Sequence, residues 1–193
     1  MKSRWSTASV FRHAEAAIAH GQDDAVALTF AGFTIGMDKH DTAAAFAAFE
    51  AALAVSPSLA LTYFLGSLIF AFSGEADRAI EWANRGLRLS PFDPWRSSAF
   101  VSSSLGYFQR GEYEEGAAYG RKAVQYNPGF AWCYMVLAAQ LTKLGRIEEA
   151  KSTGARVLEL QPTFRYSHLL AATGLRASAR CLSERRTSRC WVA

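Results

Sequence analysis

Four prolines, Pro57, Pro91, Pro128 and Pro162, stand 34, 37 and 34 residues apart, and each closes a stretch built on one plan. The stretches are GEADRAIEWANRGLRLSP (Gly74–Pro91), GEYEEGAAYGRKAVQYNP (Gly111–Pro128) and GRIEEAKSTGARVLELQP (Gly145–Pro162). In each, glycine opens a turn, acidic residues follow, small residues recur at helical spacing, and proline stops the helix. A looser copy, DTAAAFAAFEAALAVSP, ends at Pro57. A repeat of this length cannot bury its apolar face alone, so neighbouring units must stack. The spacing predicts an all-α fold: an α-solenoid of antiparallel helix pairs, about four repeats plus terminal helices.

The plan divides the chain. Residues 1–24 read as a partial repeat, its second helix only, because Ser6–His20 (STASVFRHAEAAIAH) puts Val10, Ala14 and Ala17 at the small-residue positions. With no first helix before it, the array is expected to start in mid-repeat. Residues 25–162 read as the solenoid. Its first repeat has helices over Asp24–Met37 and Thr42–Val55, with Asp41 as N-cap. The second repeat begins at Ala60 and turns at Ser73-Gly74. The joint Pro91–Arg96 adds three residues to the period, and Asp93 is placed to cap the next helix with Pro94 at its first position. The third repeat follows from Ser97 and the fourth from Ala131. Residues 163–175 read as a capping helix. Residues 176–193 read as a basic, disordered tail, where Arg, Ser and Cys replace Ala and Leu.

The formal net charge of +4 invites a nucleic-acid or membrane partner. Its location removes the invitation. Arg176, Arg180, Arg185, Arg186 and Arg189 face one acid, Glu184, in the tail, and the remaining 175 residues balance 16 basic against 16 acidic side chains. The most membrane-like run, Leu59–Phe72, has 14 residues and no charge, where a bilayer span needs roughly 20. No secretory leader is legible in Met1–Val10. A cytoplasmic protein is expected, with neither nucleic acid nor membrane as partner.

In this register the chain resembles the tetratricopeptide repeat family over roughly Ala25–Pro162. That family's unit has small residues at positions 8, 20 and 27 and proline at 32. Here Ala45, Ala79, Gly116 and Ala150 take position 20, and Ala52, Gly86, Ala123 and Val157 take position 27. Tyr63, Phe100 and Tyr134 supply the aromatic near position 4. Departures are Ser67, Ser104 and Ala138 at position 8, and an aromatic at position 24 only in Phe49. A narrower resemblance lies in LSPFDPWR (Leu89–Arg96) within a neutral, Ala-rich array. It is similar to the C-terminal repeats of bacterial class III adenylate/guanylate cyclases, and comparable arrays follow winged-helix transcriptional regulators. The metal-binding aspartates and nucleotide-reading residues of a cyclase domain are not recognisable in this chain.

The resemblance implies that the first helices line a concave groove. The groove residues are then Leu61, Phe64 and Leu68, then Val101, Leu105 and Phe108, then Trp132 and Met135. These are uncharged. Relatives that grip acidic chaperone C-termini need Lys, Arg and Asn there, because a desolvated carboxylate must be paired. An apolar groove suits a protein or peptide partner, such as an amphipathic helix, or self-association into a homo-oligomer.

No chemistry competes with this reading. His13, His20, His40 and His168 are dispersed, without the paired spacing of metal ligands. Glu114-Glu115 and Glu148-Glu149 each start a helix, where negative charge favours the dipole. Cys133 falls inside a helix as a small core residue. No enzyme activity, cofactor or metal is expected. A non-enzymatic interaction module is expected, the regulatory or assembly region of a larger bacterial signalling protein.

Overall fold

A computed structural model describes residues 23–164. The expected helix over Ser6–His20, the capping helix beyond Phe164 and the basic tail lie outside the described residues. Those described form eight helices: α1 (Ala25–Thr34), α2 (Thr42–Val55), α3 (Ala60–Ser73), α4 (Ala76–Leu89), α5 (Arg96–Arg110), α6 (Tyr113–Tyr126), α7 (Ala131–Lys143) and α8 (Ile147–Leu160). They pair as α1/α2, α3/α4, α5/α6 and α7/α8, and each pair stacks on the next.

Local chemistry sets the ends. Gly74, Gly111 and Gly145 have φ of 88°, 76° and 74°, the left-handed conformation that glycine adopts without steric cost. After each, the chain folds back onto its helix. Glu75 N–H donates to Phe70 O at 2.9 Å, Glu112 N–H to Tyr107 O at 2.9 Å, and Arg146 N–H to Leu141 O at 2.9 Å. These bonds satisfy carbonyls that the helix end leaves open. At the other ends, Ser56, Ser90, Asn127 and Gln161 leave the helical region with φ between −139° and −144°. Each precedes one of the recurring prolines, whose ring disfavours a helical residue before it.

Asp41 caps as the sequence predicts, Asp24 caps a helix it was expected to begin, and the Asp93 cap is modified. Asp24 Oδ1 accepts from Val26 and Ala27 N–H, both at 3.0 Å, and Asp41 Oδ1 accepts from Ala44 N–H at 3.0 Å. Asp93 Oδ1 accepts from Trp95 N–H at 2.8 Å, as a cap should. The turn it starts is tighter than an α-turn, however, with Arg96 N–H donating to Asp93 O. The α-helix therefore starts at Arg96.

The first repeat carries one extra residue, which the regular period hides. Ile35–Lys39 forms a π-turn at the end of α1, and His40 at φ 53° takes the place that glycine holds elsewhere. A single inserted residue is commonly absorbed in this way. Its effect is to bring Gly32 into the slot of Ser67 and Ser104: a Cβ on Gly32 would lie 2.9 Å from Ala45 O. Ser104 Oγ donates to the equivalent carbonyl, Gly116 O, at 2.9 Å.

The small residues are the contacts that set the stacking distance. Ala45, Ala52, Ala79 and Ala123 are fully buried, and Gly86 lies under the ring of Phe64, where a Cβ would come within 2.6 Å of the ring edge. Gly66 seats Trp82, which meets Phe70, Tyr63 and Phe49 edge-on at 4.9, 5.2 and 6.3 Å. Between first helices, hydroxyls replace methyl contacts. Thr29 and Thr62 meet at 2.7 Å and Ser67 and Ser102 at 2.9 Å, all four buried. Gln140 Nε2 donates to Ser104 O at 2.6 Å. Small hydroxyls let the helices approach while these four keep a buried partner; Ser103 Oγ and Gln140 Oε1 are buried without one. Along the opposite face, Arg110–Asp77, Arg146–Glu114 and Arg121–Glu149 join successive repeats at 3.2, 3.0 and 2.7 Å. Being exposed, each contributes little to stability.

Candidate functional site

The four first helices divide labour with the four second helices by charge. α1 and α3 contain no charged residue at all; α5 carries Arg96 and Arg110, and α7 Lys143, only at their ends. The second helices α4, α6 and α8 carry acids and bases throughout. The first helices are therefore apolar and hydroxyl-bearing along their length.

The structure sorts the eight expected groove residues into two groups. Leu61, Leu68, Leu105, Phe108 and Trp132 are half-buried and keep some surface. Phe64, Val101 and Met135 do not: they are 0%, 1% and 7% exposed. Phe64 packs with Ala60, Ala83 and Ala99, while Val101 and Met135 join the core beneath α5 and α7. Their repeat position faces the neighbouring helices, so these three side chains have no surface to offer a partner.

The open side is also partly occupied by the chain itself. Phe72 of α3 and Trp132 of α7 bring their rings to 5.4 Å, crossing over α5 between them. Leu68, Leu105 and Trp132 pack against one core cluster. A second pair, Phe30 of α1 and Trp95 of the joint, meets at 6.2 Å and skips a repeat in the same way. Phe30 and Trp95 remain over 40% exposed, and Phe92 beside them is 87% exposed. The joint thus leaves two aromatic side chains, those of Phe92 and Trp95, with exposed surface. In the sequence the joint reads as an irregular step and as the basis of the narrower resemblance; its Phe and Trp were the signal for this exposed aromatic surface.

The chemical candidates resolve structurally. Glu114 pairs with Arg146, Glu149 with Arg121 and Glu148 with Lys151. Cys133 is fully buried, and desolvation pushes its thiol up to about 12 despite a backbone hydrogen bond acting the other way. At neutral pH it is a thiol rather than a thiolate, hence a poor nucleophile. Among the described residues no group of three or more His, Cys, Asp or Glu is placed to hold a metal ion. None of the described helices is long and apolar enough to cross a membrane.

Comparison with curated proteins finds no match. Among solved structures, PilW, a type IV pilus biogenesis factor, is similar at TM-score 0.68 with 15% identity, over 95% of this chain and 80% of that one. YrrB, described as a TPR protein with an unusual peptide-binding site, is similar at TM-score 0.57 with 18% identity, over 89% and 85%. The first TPR domain of human RPAP3 is similar at TM-score 0.51 with 25% identity, over 69% and 99%. Identities this low show a shared fold. The family model described as Tetratricopeptide repeat matches residues 107–173, about a third of the chain, and the described residues, with four stacked helix pairs, form an all-α helical-repeat solenoid similar in fold to these structures.

Proposed function

We propose that this chain is a non-enzymatic interaction module that takes an apolar segment of a protein partner, such as an amphipathic helix, on its concave side. The observation that carries the reading is the absence of charge along the first helices, together with the surface left on Leu61, Leu105, Phe108 and Trp132. An uncharged, aromatic-bearing concave face is suited to apolar anchors at helical spacing. A protein of the same fold, YrrB, has a peptide-binding site, which supports peptide as the class of ligand.

Selecting helical peptides from a display library against the full chain, then titrating the best binder by fluorescence anisotropy, tests the proposal. Phe108→Ala and Trp132→Ala are each expected to weaken binding by about 2 kcal/mol, roughly thirtyfold. Lys122→Ala, on the second-helix side, should leave it unchanged. Binders insensitive to both aromatic truncations would place the site elsewhere.

The finer assignment is a regulatory or assembly region of a larger bacterial signalling protein, with a nucleotide cyclase or a winged-helix regulator as the parent. It rests on the resemblance of Leu89–Arg96. Incubated with ATP or GTP and a divalent metal, the chain itself is expected to form no cyclic nucleotide; measurable product would overturn the non-enzymatic reading.

A further inference from the structure

One second helix differs from the other three on its outer side. At the repeat positions where α4 carries Arg78, Glu81, Arg85 and Arg88, α2 carries Ala44, Ala47, Ala51 and Ala54. At the first and third of these positions α6 has Glu115 and Lys122, and α8 has Glu149 and Arg156. The only charge on α2 is Glu50. With Leu28 and Val55, the α2 alanines line an open trough of about 540 Å³.

The later repeats show what lies against this side of a second helix. The Arg78 guanidinium covers the ring of Phe46 at 5.1 Å, Trp82 meets Phe49 at 6.3 Å, and Glu149 pairs with Arg121. In each case the neighbour is the second helix of the preceding repeat. The trough on α2 is thus the seat for a preceding second helix.

A segment of the right sequence sits at the right distance. Thr7–His20, TASVFRHAEAAIAH, aligns without gaps to α2, TAAAFAAFEAALAV, and is identical at seven of 14 positions, Phe11 with Phe46 and Glu15 with Glu50 among them. Four residues separate His20 from Ala25, as four separate Val55 from Ala60. Phe11 thereby stands at the position whose ring, in Phe46, the next repeat covers. An alanine in place of Arg78 leaves that neighbour apolar, and burial of apolar area then supplies the attraction.

We propose that residues 7–20 occupy the α2 trough as the second helix of a half-repeat, so that this face is an internal seat rather than a surface for a partner. The inference is independent of the concave-side reading. Hydrogen exchange of the full chain, read by mass spectrometry at two protein concentrations, tests it. Amides of 7–20 are expected to exchange at least about a hundredfold more slowly than in an unstructured peptide, equally at both concentrations. Phe11→Asp and, from the other side, Ala51→Glu should each abolish that protection while peptides of α5–α8 stay protected. Unprotected amides in the unsubstituted chain would overturn the proposal. So would protection that survives both substitutions. Protection that appears only as light scattering reports a dimer would assign the trough to a second copy instead.

Discussion

Phe64→Ala is expected to lower the unfolding free energy by about 3–5 kcal/mol, the range for deleting a buried phenylalanine ring. The ring is fully buried among Ala60, Ala83 and Ala99 and covers Gly86, so its loss leaves a cavity at the contact between the second and third repeats. Because stability in a stacked array is carried from one repeat to the next, a weakened middle contact should also broaden or split the denaturation curve. Phe92→Ala, at a ring 87% exposed, should change stability by no more than about 0.5 kcal/mol. Urea unfolding followed by circular dichroism checks both. A small effect at Phe64 would return that residue to the concave surface, where the repeat register alone had put it.

Gly86→Leu attacks the same contact from the opposite helix. A Cβ there would stand 2.6 and 2.7 Å from two ring carbons of Phe64 and 3.2 Å from Tyr63 Cβ. Leucine adds still more, and overpacking of this kind costs about 1–3 kcal/mol or more, outweighing the gain of roughly 1 kcal/mol from removing a mid-helix glycine. Since both substitutions address one space, they should not add. In the Phe64→Ala background, Gly86→Leu is expected to cost at least about 1 kcal/mol less than alone, a coupling that a double-mutant cycle measures directly. Strict additivity would mean that the ring and the glycine do not meet.

Much of this architecture is written in local chemistry, and so could be read from the sequence. Pro57, Pro91, Pro128 and Pro162 act on the residue just before them; Gly74, Gly111 and Gly145 act at a single φ; Asp24 and Asp41 act within one turn. None of these needs a distant partner. What remained hidden depends on neighbours. Phe64, Val101 and Met135 share a repeat position that looks like groove lining until the helices are stacked, when it turns inward. Gly32 falls out of a strict period because the π-turn at Ile35–Lys39 absorbs a residue after it. Trp82 has an aromatic counterpart in Tyr119, which packs on Phe100 and Tyr107, but its larger indole is seated on the bare surface of Gly66, where the next repeat has Ser103. The concave side was legible in its lack of charge, and illegible in how far its own rings fill it.

Those rings have a mechanical consequence. A stack whose units touch only their immediate neighbours bends like a row of independent hinges, each joint free to set its own angle. Phe72 with Trp132, and Phe30 with Trp95, tie units two apart. Straightening any one joint must then pull a ring pair open as well, at about 0.5–1.5 kcal/mol for each pair beyond lost burial. Curvature becomes a property of three units at once. Uncoiling the array therefore has to open both ring pairs, at Phe72–Trp132 and Phe30–Trp95, along with the joints themselves.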